Sequence, residues 1–207
     1  MIMGNKKYYA VRTGRKTGLF TTWDECKDAV HGFKGAVYKG FETMEEARKY
    51  LDGVSTGKEI TADTQINDLP EVFAFTDGSY NVKTKVYGYG GFLVANGKRF
   101  ILQGNGSDPE LAAMRNVAGE IAGSEAAVRK AIELGFKELS IYYDYAGIEQ
   151  WATGGWKANK EGTIRYRDFF ESIKNKIKVN FVKVRGHAGI EGNEEADRIA
   201  KEAAGVV

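Results

Sequence analysis

The chain has 207 residues, of which 43% are hydrophobic and 28% are charged, and its formal net charge is only +2. This composition is typical of a globular protein with one or two domains, and the small net charge excludes a uniformly polycationic chain, so any nucleic-acid surface must be a local cluster of cations. The single cysteine, Cys26, excludes an internal disulfide and a cysteine-based zinc site.

No apolar run is long enough to span a bilayer, and the first seven residues lack the apolar core of a signal peptide. We therefore expect a cytoplasmic protein with no membrane partner, in a reducing compartment.

Residues 6–52 predict a small α/β module. Its predicted order is strand, strand, helix, strand, helix, with strands at 8–12, 19–20 and 36–41 and helices at 22–30 and 43–51. Thr22 and Thr43 each precede a glutamate by three residues, which is the capping-box pattern that opens a helix. Residues 53–71 are polar and short of large apolar residues, so we predict a flexible linker there.

Residues 72–207 predict an α/β domain with a mixed five-stranded sheet flanked by helices. Strands are predicted at 72–76, 87–94, 99–102, 139–143 and 179–184, and helices at 117–134, 146–153, 166–176 and 191–204. Asn96-Gly97 predicts a type I′ hairpin between the second and third of these strands, so the early strands form a meander.

Four acidic residues stand where an α/β fold places functional groups. Asp77 and Asp144 each follow an apolar strand directly, and ligands of open α/β sheets gather at strand carboxyl ends. Glu120 lies within a predicted helix, and Asp197 lies in the first turns of the last helix. If folding brings the four together, their repulsion is severe unless divalent cations lie between them, and such a group suits two-metal phosphodiester chemistry.

His187 lies in a glycine-rich loop, 186–192, between the last predicted strand and the last helix. An exposed histidine there favours proton transfer over core packing. Each of these five residues also has an ordinary explanation, such as an Asp-Gly turn, a solvated helical glutamate, or an acidic first helical turn that the helix dipole favours. Their joint occurrence in this order favours the catalytic interpretation.

Residues 72–204 resemble a type 1 ribonuclease H domain. The motifs that carry the resemblance are Thr-Asp-Gly-Ser at 76–79, Arg-Asn-Val-Ala-Gly-Glu at 115–120, Tyr-Asp-Tyr at 143–145 and Gly-His-Ala-Gly-Ile-Glu-Gly-Asn-Glu-Glu-Ala-Asp at 186–197. The last motif is the most specific, and the four together leave little room for coincidence.

The resemblance implies that Asp77, Glu120, Asp144 and Asp197 hold two Mg²⁺ ions, with Mn²⁺ as an alternative ion. It implies that His187 assists proton movement or product departure. The implied activity is endonucleolytic hydrolysis of the RNA strand of an RNA–DNA hybrid, leaving 5′-phosphate and 3′-hydroxyl ends. We expect the protein to be a monomer.

The resemblance also implies contacts with nucleic acid in this domain. Asn116, four residues before Glu120, matches an asparagine that touches the minor groove of the hybrid in the family. Ser79 and Asn81, in the predicted turn after the first strand, are expected to contact the same substrate.

Residues 6–52 resemble the small hybrid-binding module that precedes many such nucleases. The matching pieces are Tyr-Tyr-Ala-Val-Arg-Thr-Gly-Arg-Lys-Thr-Gly-Leu-Phe at 8–20, Thr-Trp at 22–23 and Tyr-Lys-Gly-Phe at 38–41. Trp23 and Tyr38 match the aromatic residues that stack on the DNA strand, and the remaining implied contacts are the phosphate-binding cations Lys39, Arg15 and Lys16.

Three questions about this module stay open from the sequence. Trp23 is alternatively a core tryptophan, and Arg15 with Lys16 is alternatively a solvated turn. Gly40 stands where some relatives have a second lysine, which implies weaker binding of nucleic acid by this module. Double-stranded RNA is a second candidate partner beside the RNA–DNA hybrid.

Two other functions are compatible with parts of the sequence. One is a reader of hybrids or double-stranded RNA that has lost catalysis, which the presence of all four carboxylates disfavours. The other is a transposase, integrase or junction resolvase of the same superfamily that cuts DNA, which the histidine-glycine loop and the N-terminal module disfavour.

Overall fold

The structure is a computed structural model that describes residues 8–33, 35–52, 69–185 and 189–206. The chain divides into two compact units, residues 1–56 and residues 57–207. Most of the predicted linker, residues 53–68, lies outside the described residues, and so does His187. Every helix among the described residues is too short or too polar to cross a membrane.

The N-terminal unit is a three-stranded antiparallel sheet with two helices. Its elements are Tyr8–Thr13 (β1), Gly18–Phe20 (β2), Trp23–Val30 (α1), Val37–Phe41 (β3) and Met44–Asp52 (α2), and the strand order is β2-β1-β3. Both predicted helix starts are confirmed, because the hydroxyl oxygens of Thr22 and Thr43 accept hydrogen bonds from the backbone N–H groups of Glu25 and Glu46. Its small core is formed by Val11, Phe20, Cys26, Ala29 and Val30.

The larger unit is a mixed five-stranded sheet with helices on both faces, as predicted. Its strands are Val72–Tyr80 (β4), Tyr87–Ala95 (β5), Lys98–Gly106 (β6), Glu138–Tyr143 (β7) and Lys178–Lys183 (β8). Its helices are Pro109–Ala112 (α3), Asn116–Glu133 (α4), Gly147–Ala152 (α5), Glu161–Ile173 (α6) and Glu191–Ala204 (α7). The strand order is β6-β5-β4-β7-β8, with β4 to β6 antiparallel and β7 and β8 parallel to β4.

Two cores cover the two faces of this sheet because alternate residues of a strand point to opposite sides. On one face the strands pack against α4 and α6, with Leu93 and Tyr166 fully buried. On the other face Phe73, Phe75 and Tyr142 pack against Ala196 of α7.

Several elements differ from the sequence prediction, and one of them is β6, which continues to Gly106 rather than ending at 102. β4 was predicted to end at residue 76, but it continues to Tyr80 because β5 stays paired with it as far as Tyr87. α6 begins at Glu161 rather than 166, since the hydroxyl of Thr163 accepts the N–H of Lys160 and caps the helix. The short helix α3 was not predicted.

Glycines allow α4 and α7 to approach the sheet at backbone distance. A Cβ added to Gly119 of α4 would lie 2.0 Å from the carbonyl oxygen of Gly88 in β5, and one added to Gly78 would lie 2.2 Å from the backbone nitrogen of Glu120. On the other face, a Cβ at Gly90 would lie 2.0 Å from the backbone nitrogen of Ala200. Any larger side chain at these places would push the helices away from the sheet.

Candidate active site and nucleic-acid interface

Three of the predicted carboxylates lie together at one place on the sheet. Asp77 lies within β4, Glu120 lies in the second turn of α4, and Asp144 follows β7 directly. Each offers a carboxylate oxygen, and these oxygens all lie within 4.8 Å of one another. The parallel partner β7 pairs with β4 only as far as Phe75, so Asp77 stands just beyond the pairing and near the end of β7.

The cluster is buried and electrostatically unfavourable when no cation is bound. Asp77 is 8% exposed and Glu120 is 3% exposed. Burial, followed by the charges of Asp77 and Asp144, raises the pKa of Glu120 well above its usual value. The Oε2 atom of Glu120 is buried and has no hydrogen-bond partner among the described residues.

This donor set fits a hard divalent cation. Carboxylate oxygens are the ligands that Mg²⁺ and Mn²⁺ prefer in proteins. A buried oxygen without a partner carries a desolvation cost that a bound cation would remove. The buried oxygen of Glu120 therefore gives the metal interpretation support from the structure, independent of any sequence motif.

Asp197 is on α7 and is not one of the three clustered groups. Its side chain is 22% exposed, and it accepts a hydrogen bond of 2.6 Å from Nζ of Lys201, one turn further along the helix. That hydrogen bond is the main cause that raises the pKa of Lys201, and the charge of Asp77 adds to it. Asp197, the fourth predicted carboxylate, is therefore paired with Lys201, which also interacts electrostatically with Asp77.

Side chains of β6 hold α7 in place. Asn105 donates from Nδ2 to the carbonyl oxygen of Ala203 at 3.0 Å, and Gln103 donates from Nε2 to that of Ile199 at 3.4 Å. Arg99, also on β6, forms an ion pair with Glu195. Along α7 the contacts step four residues at a time, from Glu195 to Ile199 to Ala203, and along β6 they step by even numbers, from Arg99 to Gln103 to Asn105, so the contacts lie on one face of each element. These contacts carry no local sequence signal, because they join segments that are far apart in the chain.

The residues predicted to contact nucleic acid in this unit have different surroundings. Asn116 is exposed at the first turn of α4, whereas Ser79 lies in β4 and is 9% exposed. The side chain of Asn81 donates a hydrogen bond to the carbonyl oxygen of Gly205 at 2.6 Å and accepts others from the N–H groups of Lys83 and Thr84. The amide of Asn81 therefore holds its own loop, and its contact with nucleic acid stays a prediction.

A cavity of about 340 Å³ lies beside Asn116 and was not predicted. It is lined by the cations Arg115, Lys157 and Lys160 and by Tyr145 and Trp151, and no acidic side chain of the described part of the chain lines it. Arg115 has a φ of 56°, an uncommon backbone conformation for a residue other than glycine. A run of Lys-Ala-Asn-Lys at 157–160 is the sequence signal that could have indicated this cationic site.

The N-terminal unit presents a cluster of aromatic rings at its surface. Trp23 is 44% exposed and Tyr38 is 41% exposed, so the alternative of a core tryptophan is wrong. The ring of Trp23 lies 5.9 Å from that of Tyr38 and 5.5 Å from that of Tyr9, which was not singled out from the sequence.

The predicted cations of this unit are placed as follows. Lys39 is half-buried and follows Tyr38 in β3, with its Nζ 5.8 Å from the ring of Phe41. Arg15 and Lys16 are exposed in the turn before β2, and the guanidinium of Arg15 also donates to the carbonyl oxygen of His31. Arg15 therefore has a structural contact, which reduces the number of its donors that can reach a phosphate.

Comparison with known proteins agrees with both units. The family model described as RNase H matches residues 70–205, and the model described as Ribonuclease H1 N-terminal domain matches residues 7–51. Ribonuclease H1 of Homo sapiens is 30% identical over 255 residues, covering 95% of this chain and 89% of that protein.

Two solved structures share the fold. RNase H1 of Halobacterium salinarum has a TM-score of 0.51 at 23% identity, covering 66% of this chain and 98% of that one. LC11-RNase H1 in complex with an RNA/DNA hybrid has a TM-score of 0.51 at 14% identity, covering 64% of this chain and 98% of that one. With the RNase H model matching residues 70–205, and the carboxylates in place, the chain belongs to the RNase H family.

Proposed function

We propose that this protein hydrolyses the RNA strand of RNA–DNA hybrids at the cluster of Asp77, Glu120 and Asp144. The observation that carries the proposal is the convergence of three carboxylate oxygens within 4.8 Å at a buried position. The relatives add support, since the human protein is named a ribonuclease H1 and LC11-RNase H1 was solved with an RNA/DNA hybrid.

In this proposal Asp77, Glu120, Asp144 and Asp197 would hold two Mg²⁺ ions, or Mn²⁺ in their place. When bound, such ions supply activation of the attacking water and stabilisation of the leaving 3′ oxygen, which leaves 5′-phosphate and 3′-hydroxyl ends. The contribution of the chain is a rigid pocket, since Asp77 and Glu120 come from elements in backbone contact at Gly78. His187 is proposed to move a proton during turnover or to help the product leave.

Groups beside the cluster would hold the substrate. The cationic cavity lined by Arg115, Lys157 and Lys160 suits a backbone phosphate, because the described residues that line it offer positive charge and no carboxylate. Asn116, exposed at the edge of that cavity, is proposed to contact the minor groove, where 2′-hydroxyl groups distinguish RNA from DNA. Ser79 and Asn81 are proposed to contact the same substrate.

The N-terminal unit would provide a second contact with the substrate. Trp23 and Tyr38 offer exposed ring faces for stacking, and Lys39, Arg15 and Lys16 offer charge for phosphates. We propose the RNA–DNA hybrid as its ligand, with double-stranded RNA as the alternative. A monomeric state and a cytoplasmic location also stay predictions.

Side-by-side incubation with labelled RNA–DNA hybrid, duplex RNA and duplex DNA, each in MgCl₂ and in EDTA, tests the proposal. We expect cleavage of the RNA strand of the hybrid in MgCl₂ and no cleavage in EDTA. Cleavage of duplex DNA would instead favour a DNA-cutting enzyme of the same fold. Binding of the hybrid without cleavage under all conditions would favour a reader that has lost catalysis.

A further inference from the structure

The ion pair between Lys201 and Asp197 concerns a carboxylate that the proposed function assigns to metal binding. Lys201 Nζ donates to Asp197 at 2.6 Å, and the two residues are one helical turn apart on α7. The side chain of Lys201 is 45% exposed, whereas that of Asp197 is 22% exposed. The cation is therefore the more solvated partner and can move away from the carboxylate without crossing the protein interior.

A neighbouring pair on the same helix provides a contrast: Arg198 and Glu202 have the same spacing, and both are exposed. The pair of Arg198 and Glu202 is thus an ordinary surface ion pair, whereas the pair of Lys201 and Asp197 includes a proposed metal ligand.

An ammonium and a divalent cation compete for one carboxylate. Both are attracted to the oxygens of Asp197, and they repel each other when both are close. A divalent ion that uses Asp197 must therefore displace Lys201 or bind beside a positive charge. An ion held by Asp77, Glu120 and Asp144 alone avoids the direct competition.

We propose that Lys201 is a positioning residue that holds Asp197 in the metal-free protein and weakens the binding of the divalent ion that needs Asp197. The inference rests on the proposed function, because it takes Asp197 as a metal ligand. The inference predicts that the two ion sites differ in affinity. It also predicts that Lys201 raises the metal concentration needed for half-maximal cleavage.

The test compares the wild-type chain with Lys201→Met, Lys201→Arg and Arg198→Met. Calorimetric titration with MnCl₂ in the absence of substrate measures ion binding directly, and the MgCl₂ dependence of hybrid cleavage gives a second readout. We expect Lys201→Met to lower the dissociation constant of the weaker site and the half-saturating metal concentration by roughly three- to tenfold. Lys201→Arg, which keeps the charge, should match wild type.

Arg198→Met is the matched control, because it removes a cation at the same spacing on the same helix without touching Asp197. It should leave ion binding unchanged. If Lys201→Met binds MnCl₂ as wild type does, or more weakly, the competition does not exist and the inference is wrong. If wild type binds the ions but cleaves no hybrid, the proposed function fails instead, so the two failures can be told apart.

Discussion

At the scale of single residues, Asp144 is the least buried member of the carboxylate cluster and follows β7 without an intervening turn. Asp144→Asn keeps the shape of the side chain but removes the charge that would bind a cation. We expect the cleavage rate to fall by at least about a hundredfold, with hybrid affinity within about twofold of wild type. Single-turnover cleavage and filter binding would measure the two effects separately.

Asp168→Asn is a suitable control for that experiment because Asp168 is an exposed aspartate on α6. It should leave the rate unchanged. A near wild-type rate for Asp144→Asn would remove this residue from the mechanism.

Glu120 should destabilise the metal-free protein, since its charge is buried beside two others. Glu120→Gln should raise the free energy of unfolding in EDTA by about 1–3 kcal/mol, because an amide keeps the volume and removes the repulsion. The same variant should gain less stability than wild type when MgCl₂ is added, because a ligand has been lost.

Thermal unfolding in EDTA and in MgCl₂ measures both effects for Glu120→Gln. Glu133→Gln, an exposed change on the same helix, should shift neither value. If Glu120→Gln melted at a lower temperature than wild type in EDTA, the carboxylate of Glu120 would stabilise the metal-free protein and the prediction would be wrong.

At the scale of elements, the contact of α4 with the sheet decides where Glu120 lies. Gly119→Ala would place a Cβ 2.0 Å from the carbonyl oxygen of Gly88, and a backbone atom cannot move aside as a side chain can. We expect a loss of at least about 2 kcal/mol in stability and a large loss of activity, because α4 must shift away from Asp77.

Gly123→Ala provides the matched control on the same helix. There a Cβ would meet its nearest neighbours at 3.4 Å, an ordinary contact. Since alanine favours a helix interior by about 1 kcal/mol over glycine, this variant should be neutral or slightly stabilised. Chemical denaturation of both variants gives the comparison, and equal stabilities would show that the close approach at Gly119 does not constrain the fold.

The element scale also shows where local sequence signals succeed and where they fail. The Asn96-Gly97 hairpin was predicted correctly because both residues adopt positive φ, a preference that these two residue types carry locally. The end of β4 was predicted wrongly because the Asp-Gly pair at 77–78 favours a turn by itself, while pairing with β5 keeps it extended. The contacts between β6 and α7 have no local signal.

At the scale of the whole molecule, the N-terminal unit should affect substrate binding more than chemistry. Because stacking on an exposed ring contributes about 1–3 kcal/mol per base, Trp23→Ala should raise the dissociation constant for the hybrid by about fivefold to a hundredfold. The turnover number at saturating substrate should stay unchanged, since the carboxylate cluster lies in the other unit.

Met44→Ala removes another exposed apolar side chain of the same unit and serves as the control. Fluorescence anisotropy with a labelled hybrid, followed by steady-state cleavage, would separate affinity from turnover. If Trp23→Ala bound the hybrid as tightly as wild type, Trp23 would not contribute to hybrid binding. If only the turnover number changed, Trp23 would act on a step after binding, contrary to the prediction.

Apart from the short helix α3, the order of the elements and the class of the sheet were readable from the linear chain, and so were Asp77, Glu120 and Asp144 as candidate carboxylates. Those features depend on hydrophobic period, capping residues and motif spacing, which are local properties. Folding decided that Asp77, Glu120 and Asp144 share one buried position, that Lys201 holds Asp197, and that three cations surround a cavity beside Asn116. These features arise from contacts between residues far apart in the chain, whose distances depend on backbone packing such as that of Gly119 against Gly88.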